Sequence, residues 1–310
     1  MQLLSQEVTT GKTANLTEKL SGDFAGLSGL EHRLALLDSF ATARADAGRM
    51  ADAAQIRLGA LTETVGDMGR SLLSLAQSPT AQDLSGLRGR ANAAFADAVA
   101  NLNGASAGRA LFSGIATDQK PLPEPEEILN ELRSVVAGAA TAAQIWSDLE
   151  SWFDDPAGYQ SIVYQGSDQS LADTAISENQ AVSVSIKADE PALKNALKDL
   201  AAAVFAVDPA LSLSEDQSAE LLQLAGTSLI ATQDALTGES AELGVIQERI
   251  EKTAIRMETE RLTLEIARGE LLGADPYEAA TKLETAQFQL EALYSITVRT
   301  SQLSLVNFLR

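Results

Sequence analysis

Residues 37–75 read LDSFATARADAGRMADAAQIRLGALTETVGDMGRSLLSL. From Leu37, alternating steps of three and four visit Phe40, Arg44, Ala47, Ala51, Ala54, Leu58, Leu61, Val65, Met68, Leu72 and Leu75. Eleven of these twelve positions are apolar, and Arg44 is the exception. A seam that repeats every 3.5 residues over this distance marks a helix packed lengthwise on another. At ~1.5 Å per residue it would be about 58 Å long. The central alanines leave room for a neighbour to come close. Ser78-Pro79 should end it, because proline pushes the preceding residue out of the helical region.

The prolines extend this reading. None lies in residues 1–78, in 210–275 or after Pro276. A proline inside a helix costs about 3 kcal/mol, so those spans are where long helices fit. A second helical stretch is expected from about Asp83 to Phe112, carrying Leu84, Leu87, Ala91, Ala94, Ala98 and Leu102, with Gly104 and Gly108 weakening its end. Near the other terminus Leu243, Ile250, Met257, Leu264 and Leu271 recur every seven residues. Gly273 interrupts that run. Asp275-Pro276-Tyr277-Glu278 then offers a cap, a proline at the first helical position and an early acid, which is a strong helix start. Leu283, Ala286, Leu290 and Leu293 continue the seam.

The middle is different. Lys120-Pro121-Leu122-Pro123-Glu124-Pro125 is an extended breaker, and residues 127–153 read as helix with both tryptophans, Trp146 and Trp152. Three strand-like segments are expected at Ile162-Val163-Tyr164, Leu171 to Ile176 and Val182 to Ile186, with turn chemistry at Gln165-Gly166-Ser167-Asp168. Asp189-Glu190-Pro191 restarts a helix. The expected fold is mainly α: an elongated antiparallel rod of N- and C-terminal helices with a small inserted α+β domain. Its parts would be 1–116 (N-terminal half of the rod), 117–204 (outer domain) and 205–310 (C-terminal half with a terminal assembly helix). The rod seam would be held by Leu58, Leu61, Val65, Met68, Leu72 and Leu75 against Leu243, Ile250, Met257 and Leu264.

Composition narrows the function. The 310 residues include 23 Lys and Arg against 43 Asp and Glu, a net charge of −20. Such a chain repels phosphate, which argues against nucleic acid and anionic membrane surfaces as partners. With no cysteine and a single histidine, thiol catalysis, disulfides, iron–sulfur clusters and multi-histidine metal sites are excluded. No run approaches the roughly 18 apolar residues of a spanning helix. Met1 to Glu7 has neither the cationic start nor the apolar stretch of a Sec leader. The chain is therefore expected to stay in the cytoplasm or to leave by a route that reads no cleavable signal.

Candidate chemistry is thin. His32 lies between Glu31 and Arg33 and reads as a solvated side chain. Asp154-Asp155 precedes Pro156-Ala157-Gly158, where aspartate commonly caps a turn. Ser167, Asp168 and Asp173 lack the ordered oxygen spacing of a calcium loop. Gly22, Gly26 and Gly29 are followed by no Gly-Lys-Ser/Thr. No catalytic residue, metal ligand or cofactor is expected, and the chain reads as no enzyme. The last residues stand apart. Leu290, Leu293, Ile296, Val298, Leu303, Leu305, Val306, Phe308 and Leu309 cover more of a helix than the single stripe a surface helix hides. Burial between subunits is the expectation.

The two ends resemble the flagellin family. The likeness rests on Leu3-Leu4-Ser5-Gln6-Glu7-Val8-Thr9-Thr10-Gly11-Lys12, on Arg109-Ala110-Leu111-Phe112-Ser113-Gly114, and most of all on Ala279 to Arg310. There Leu290-Glu291-Ala292-Leu293-Tyr294 and Ser301-Gln302-Leu303-Ser304-Leu305 match the family's C-terminus. Tyr164-Gln165-Gly166, the compact middle and the short chain look more like the subunit at the hook–filament junction than the filament subunit. The resemblance implies a secreted structural subunit of the bacterial flagellum, without enzymatic activity, exported unfolded through the type III channel. Its implied partners are the first hook-associated protein, flagellin, copies of itself in a ring and an export chaperone. Ten residues precede Gly11, fewer than family members usually carry, which bears on how this version would self-assemble. The alternatives are a flagellin filament subunit and, from another class, a soluble coiled-coil adaptor or secretion-associated binding protein.

Overall fold

The computed structural model describes residues 2–77 and 81–308, by backbone alone at 81 and from 301 onward. In chain order the elements are α1 (Gln2–Thr10), α2 (Leu16–Lys19), α3 (Ala25–Ala76) and α4 (Ala81–Leu102). The two-residue strands β1 (Ala105–Ser106) and β2 (Arg109–Ala110) follow, then α5 (Pro125–Val136), α6 (Ala142–Asp154) and α7 (Tyr159–Ile162). A second hairpin, β3 (Thr174–Ser177) with β4 (Gln180–Val182), leads to α8 (Pro191–Phe205), a 3-10 turn at Pro209–Leu211, α9 (Glu215–Leu272) and α10 (Pro276–Phe308). The chain is mainly α, and both small sheets are antiparallel pairs. Its contacts separate it into two units, Phe40–Ala254 and Met1–Ser39 with Ile255–Arg310. Residues of α3 and α9 contribute to both.

In the unit of residues 40–254, α3 and α9 run antiparallel. Gln247 donates to Asp52 at 2.7 Å, Gly48 faces Ile250, and Gly69 faces Gly226 and Leu229. The seam is buried: Leu58, Leu61, Val65 and Leu72 are fully enclosed, Met68 nearly so, and Leu75 half-buried. The helices approach closely at two glycines. A Cβ on Gly226 would stand 2.9 Å from Leu73 Cγ and 3.2 Å from the Gly69 carbonyl. Only hydrogen at both positions lets the backbones meet this closely. The buried run of α9 also begins earlier than its heptads suggested, at Leu221, Leu222, Ala225, Leu229 and Leu236, before reaching Leu243 and Ile250.

Against this pair pack α4, through Leu87, Phe95 and Val99, and α8, through Leu193, Leu197 and Leu200. The same cluster takes in Leu132 of α5, Ile145, Leu149 and Phe153 of α6, and Tyr159 of α7. Phe153 stacks on Tyr159 at 5.2 Å between ring centroids, and the buried Tyr159 hydroxyl donates to the Ala188 carbonyl at 2.8 Å. The breaker is fixed by one side chain. Pro121 and Pro123 have no N–H, and the lone donor between them, Leu122 N, bonds Asn103 Oδ1 at 3.0 Å, while Asn103 Nδ2 returns to the Leu122 carbonyl at 3.0 Å.

Several sequence expectations change. The second helix stops at Leu102 rather than Phe112, because Ala107 and Gly108 turn with positive φ and close the β1–β2 hairpin. Residues 127–153 form two helices, broken at Ala137–Ala140, with Thr141 accepting from Gln144 N as the new cap. Ile162-Val163-Tyr164 is no strand: Ile162 ends α7, and Val163 and Tyr164 close its last turn by donating to the Tyr159 carbonyl. Leu171 to Ile176 is strand only from Thr174, and Val182 to Ile186 only at Val182, the last residue of β4. Ser78-Pro79 lies outside the described residues.

The second unit has a thinner core. Leu27, Leu34 and Leu37 of α3 are buried, while Met257, Leu264 and Leu271 of α9 are half-buried. Ion pairs align the two helices there, Arg33 to Glu260 at 2.7 Å and Arg261 to Asp38 at 3.1 Å.

Candidate functional site

The terminal helix α10 is set by its start. α9 ends at Leu272, and Gly273 closes its last turn by donating to Gly269. Asp275 Oδ1 then accepts from Tyr277 N at 2.9 Å and Glu278 N at 3.3 Å, the cap that the sequence predicted. Each amide so satisfied would otherwise be an orphan donor of the first turn. Lys282 pairs with Glu278 at 2.9 Å one turn on.

The chain's first residues tie this corner down. Gly11, with φ of +65°, lets residues 11–13 run antiparallel to 272–274. Thr13 N donates to the Leu272 carbonyl and Ala274 N to the Gly11 carbonyl, each at 2.8 Å. Lys19 Nζ donates to the Gly273 carbonyl. α1 packs along the beginning of α10, where Ala279 is buried and Leu283 and Ala286 are half-buried. Between α1, α2 and the start of α10 lies an open groove of about 820 Å³, lined by Glu7, Glu18, Asp275 and Glu278 together with Lys19 and Lys282.

Beyond that contact the helix is bare. From residue 287 to 300 every side chain is exposed. Among them are Phe288 at 73 %, Leu293 at 64 % and Ile296 at 61 %, with Leu290 and Val298 also exposed. At 100° per residue these five point to different sides of the helix, so no single neighbouring helix covers them. Leu303, Leu305, Val306 and Phe308 continue the helical backbone, but their side chains, like all of Leu309, lie outside the described residues. Sequence reading missed Phe288 and Tyr294, which share this surface; following the seven-residue seam passed over them. It also missed Ile255, Leu262 and Ile266, an exposed apolar stripe on α9 recoverable from their spacing of seven and four.

The other candidates fall to structural duties. His32 is exposed. Asp155 Oδ1 accepts from Ala157 N at 2.9 Å, as a turn cap does. Asp168 is held by Gln160 at 2.6 Å, and its backbone carbonyl takes the Lys187 ammonium at 3.1 Å. Gly26 and Gly29 lie within the first turns of α3. No helix among the described residues is long and apolar enough to cross a membrane.

Residues 229–309 match the family model for the bacterial flagellin C-terminal helical region. That span is 81 of the chain's 310 residues, and over it the chain is similar to the flagellin C-terminal helical region. The matched span runs from the middle of α9 through the exposed part of α10, the same residues that carry the bare apolar surface. The chain is also similar in fold to a Vibrio parahaemolyticus protein provisionally described as a flagellar hook-associated protein. The TM-score is 0.58 at 15 % identity, over 81 % of this chain and 99 % of the other. No curated protein matches the sequence.

Proposed function

We propose that this protein is the structural subunit that joins the first hook-associated protein to the flagellin filament at the hook–filament junction. The observation that carries the reading is the exposed apolar length of α10, residues 287–300, on a chain whose fold is similar to that of a hook-associated protein. An apolar surface on all sides of a helix is an assembly surface, since solvent penalises it everywhere except inside a multi-subunit contact. In the proposed arrangement Leu290, Leu293, Ile296 and Val298, continued by Leu303, Leu305, Val306, Phe308 and Leu309, pack against copies of the chain in a ring, with the hook-associated protein on one side and flagellin on the other. Residues 117–204 face outward between the two rod halves, 1–116 and 205–310, while sharing a core with α4 and α9. An export chaperone covers the apolar helix before assembly, and the subunit leaves the cell through the flagellar type III channel.

Antibody labelling of intact flagella tests this. Label confined to the hook end supports the junction subunit, and label along the filament assigns the chain to the filament instead. The flagellin C-terminal match is what favours that second reading. Growth on flagellin seeds in purified mixtures separates the two in solution, because a junction subunit starts a filament and does not extend one.

A further inference from the structure

The start and the middle of α8 hold more enclosed carboxylate than enclosed ammonium. α8 is buried at Ala192 and Leu193 and at every residue from Ala196 to Phe205, and it packs on α4 and α6. Its tie to α9 is Asp199, itself fully buried, whose Oδ2 accepts from Thr232 Oγ1 at 2.8 Å. The other oxygen, Oδ1, has no hydrogen-bond partner. Lys198 Nζ makes an ion pair with it at 3.7 Å, too long for a hydrogen bond, and lies 4.9 Å from the centroid of the Trp146 ring.

The helix start repeats the imbalance. Glu190 occupies the cap position but does not cap; its Oε1 accepts from the Lys187 amide at 3.2 Å. Asp189 Oδ2 takes Lys187 Nζ and Gln160 Nε2, each at 3.2 Å, while its Oδ1 is buried without a partner. Glu239 of α9, itself beside Glu242, adds a further carboxylate facing Glu190. Lys187 and Lys198 are thus set against Asp189, Glu190, Asp199 and Glu239. An ionised carboxylate enclosed without matching charge is costly, whereas the protonated acid needs no counter-ion and gains a donor.

We propose that α8 is a proton-operated latch: protonation of Glu190 and Asp199 clamps it onto α4, α6 and α9, and their ionisation lets α8 open locally while the α3–α9 seam stays closed. The titration range suits such a device. Burial pushes Glu190 up to about 7, with the Lys187 amide pulling it down, Glu239 and Asp189 pushing it further up, and the Lys187 ammonium opposing them. Burial pushes Asp199 up to about 6 against the pull of Lys198 and the hydroxyls of Thr232 and Ser228. Local opening of a single element at a cost below global unfolding is ordinary native-state behaviour.

Hydrogen exchange of the full chain, read by mass spectrometry at about pH 5.5 and about pH 8 and corrected for intrinsic rates, tests the latch. Residues 191–205 should lose protection at the higher pH by at least ~10-fold more than residues 58–72 of the seam. Glu190→Gln combined with Asp199→Asn should abolish that excess. Should the buried Asn prevent folding, Glu190→Gln alone, at a half-buried position, should cut the excess by at least ~3-fold, since it removes one of two titrating groups. Equal pH dependence in the two segments of the wild type, or an unchanged excess in Glu190→Gln, overturns the proposal.

Discussion

Arg44 Nη1 donates to the backbone carbonyl of Ile176 at 2.9 Å, so the one polar residue in the α3 seam is what fastens the β3–β4 hairpin. Around it Ala47, Ile176, Val182 and Ile250 form a small apolar cluster that shields the bond from water. Arg44→Ala removes a donor and leaves a buried carbonyl unpaired, which costs about 1–3 kcal/mol. Urea unfolding should show a lower midpoint, and exchange of the β3–β4 amides should rise more than that of Leu58 to Leu72. Unaltered hairpin protection would show that the apolar cluster and the bond from Thr253 Oγ1 to Gln180 Oε1 at 2.8 Å hold it without Arg44.

Glycine at the α3–α9 approach separates propensity from packing. Gly238 sits in the same helix as Gly226 with nothing within 4 Å of its would-be Cβ. Gly238→Ala should therefore stabilise by up to about 1 kcal/mol through helix propensity. Gly226→Ala gains the same term but drives a methyl against Leu73 and the Gly69 carbonyl, an overpacking cost of about 1–3 kcal/mol. Opposite signs in thermal midpoints are the expected outcome; two stabilising substitutions would place the helices further apart than described.

Stability should fall as pH rises through neutrality. Asp199 and Glu190 have folded pKa values raised to about 6 and about 7, so between the unfolded carboxyl values near ~4 and those figures the folded state binds more protons. Their contribution is full below the unfolded pKa and is lost as pH climbs through 6 and 7. Ionisation of a chain already at −20 acts in the same direction. Calorimetry should find a higher melting temperature near about pH 5 than near about pH 8. A flat or rising trend across that window contradicts the assignment.

Deleting residues 290–310 should leave the melting temperature of the monomer nearly unchanged. The side chains described from 290 to 300 are all exposed, so their removal costs the isolated chain little burial. The same deletion should abolish incorporation at the hook tip. Retained filament growth in cells whose only copy is the truncated chain would remove α10 from the assembly surface.

The seam was legible because burial on one side of a helix imposes a period that sequence displays directly. Leu58, Leu61, Val65 and Leu72 needed only their spacing, and Asp275 needed only its place before a proline. Other features depended on partners far along the chain. Nothing local marks Gly226 as a contact until Gly69 is opposite it, and Arg44 reads as a flaw until Ile176 arrives. Ile162-Val163-Tyr164 misled because β-branched and aromatic residues suit strands, whereas here the backbone bonds to Tyr159 closed a helical turn first. The apolar surface of α10 was readable as an excess over one stripe. Its first turns were less so, since the cover supplied by α1 depends on the exchange of bonds around Gly11 and Gly273.

That exchange also governs timing. Lys19 and Gly273 are separated by 254 residues, and closing a loop of that size costs about 5 kcal/mol of chain entropy. Ribosomes deliver the N-terminal segment first, yet its partners around Gly273 emerge only after nearly all of the chain. Until Gly273 has been made, residues 2–19 therefore lack the partners that this exchange gives them.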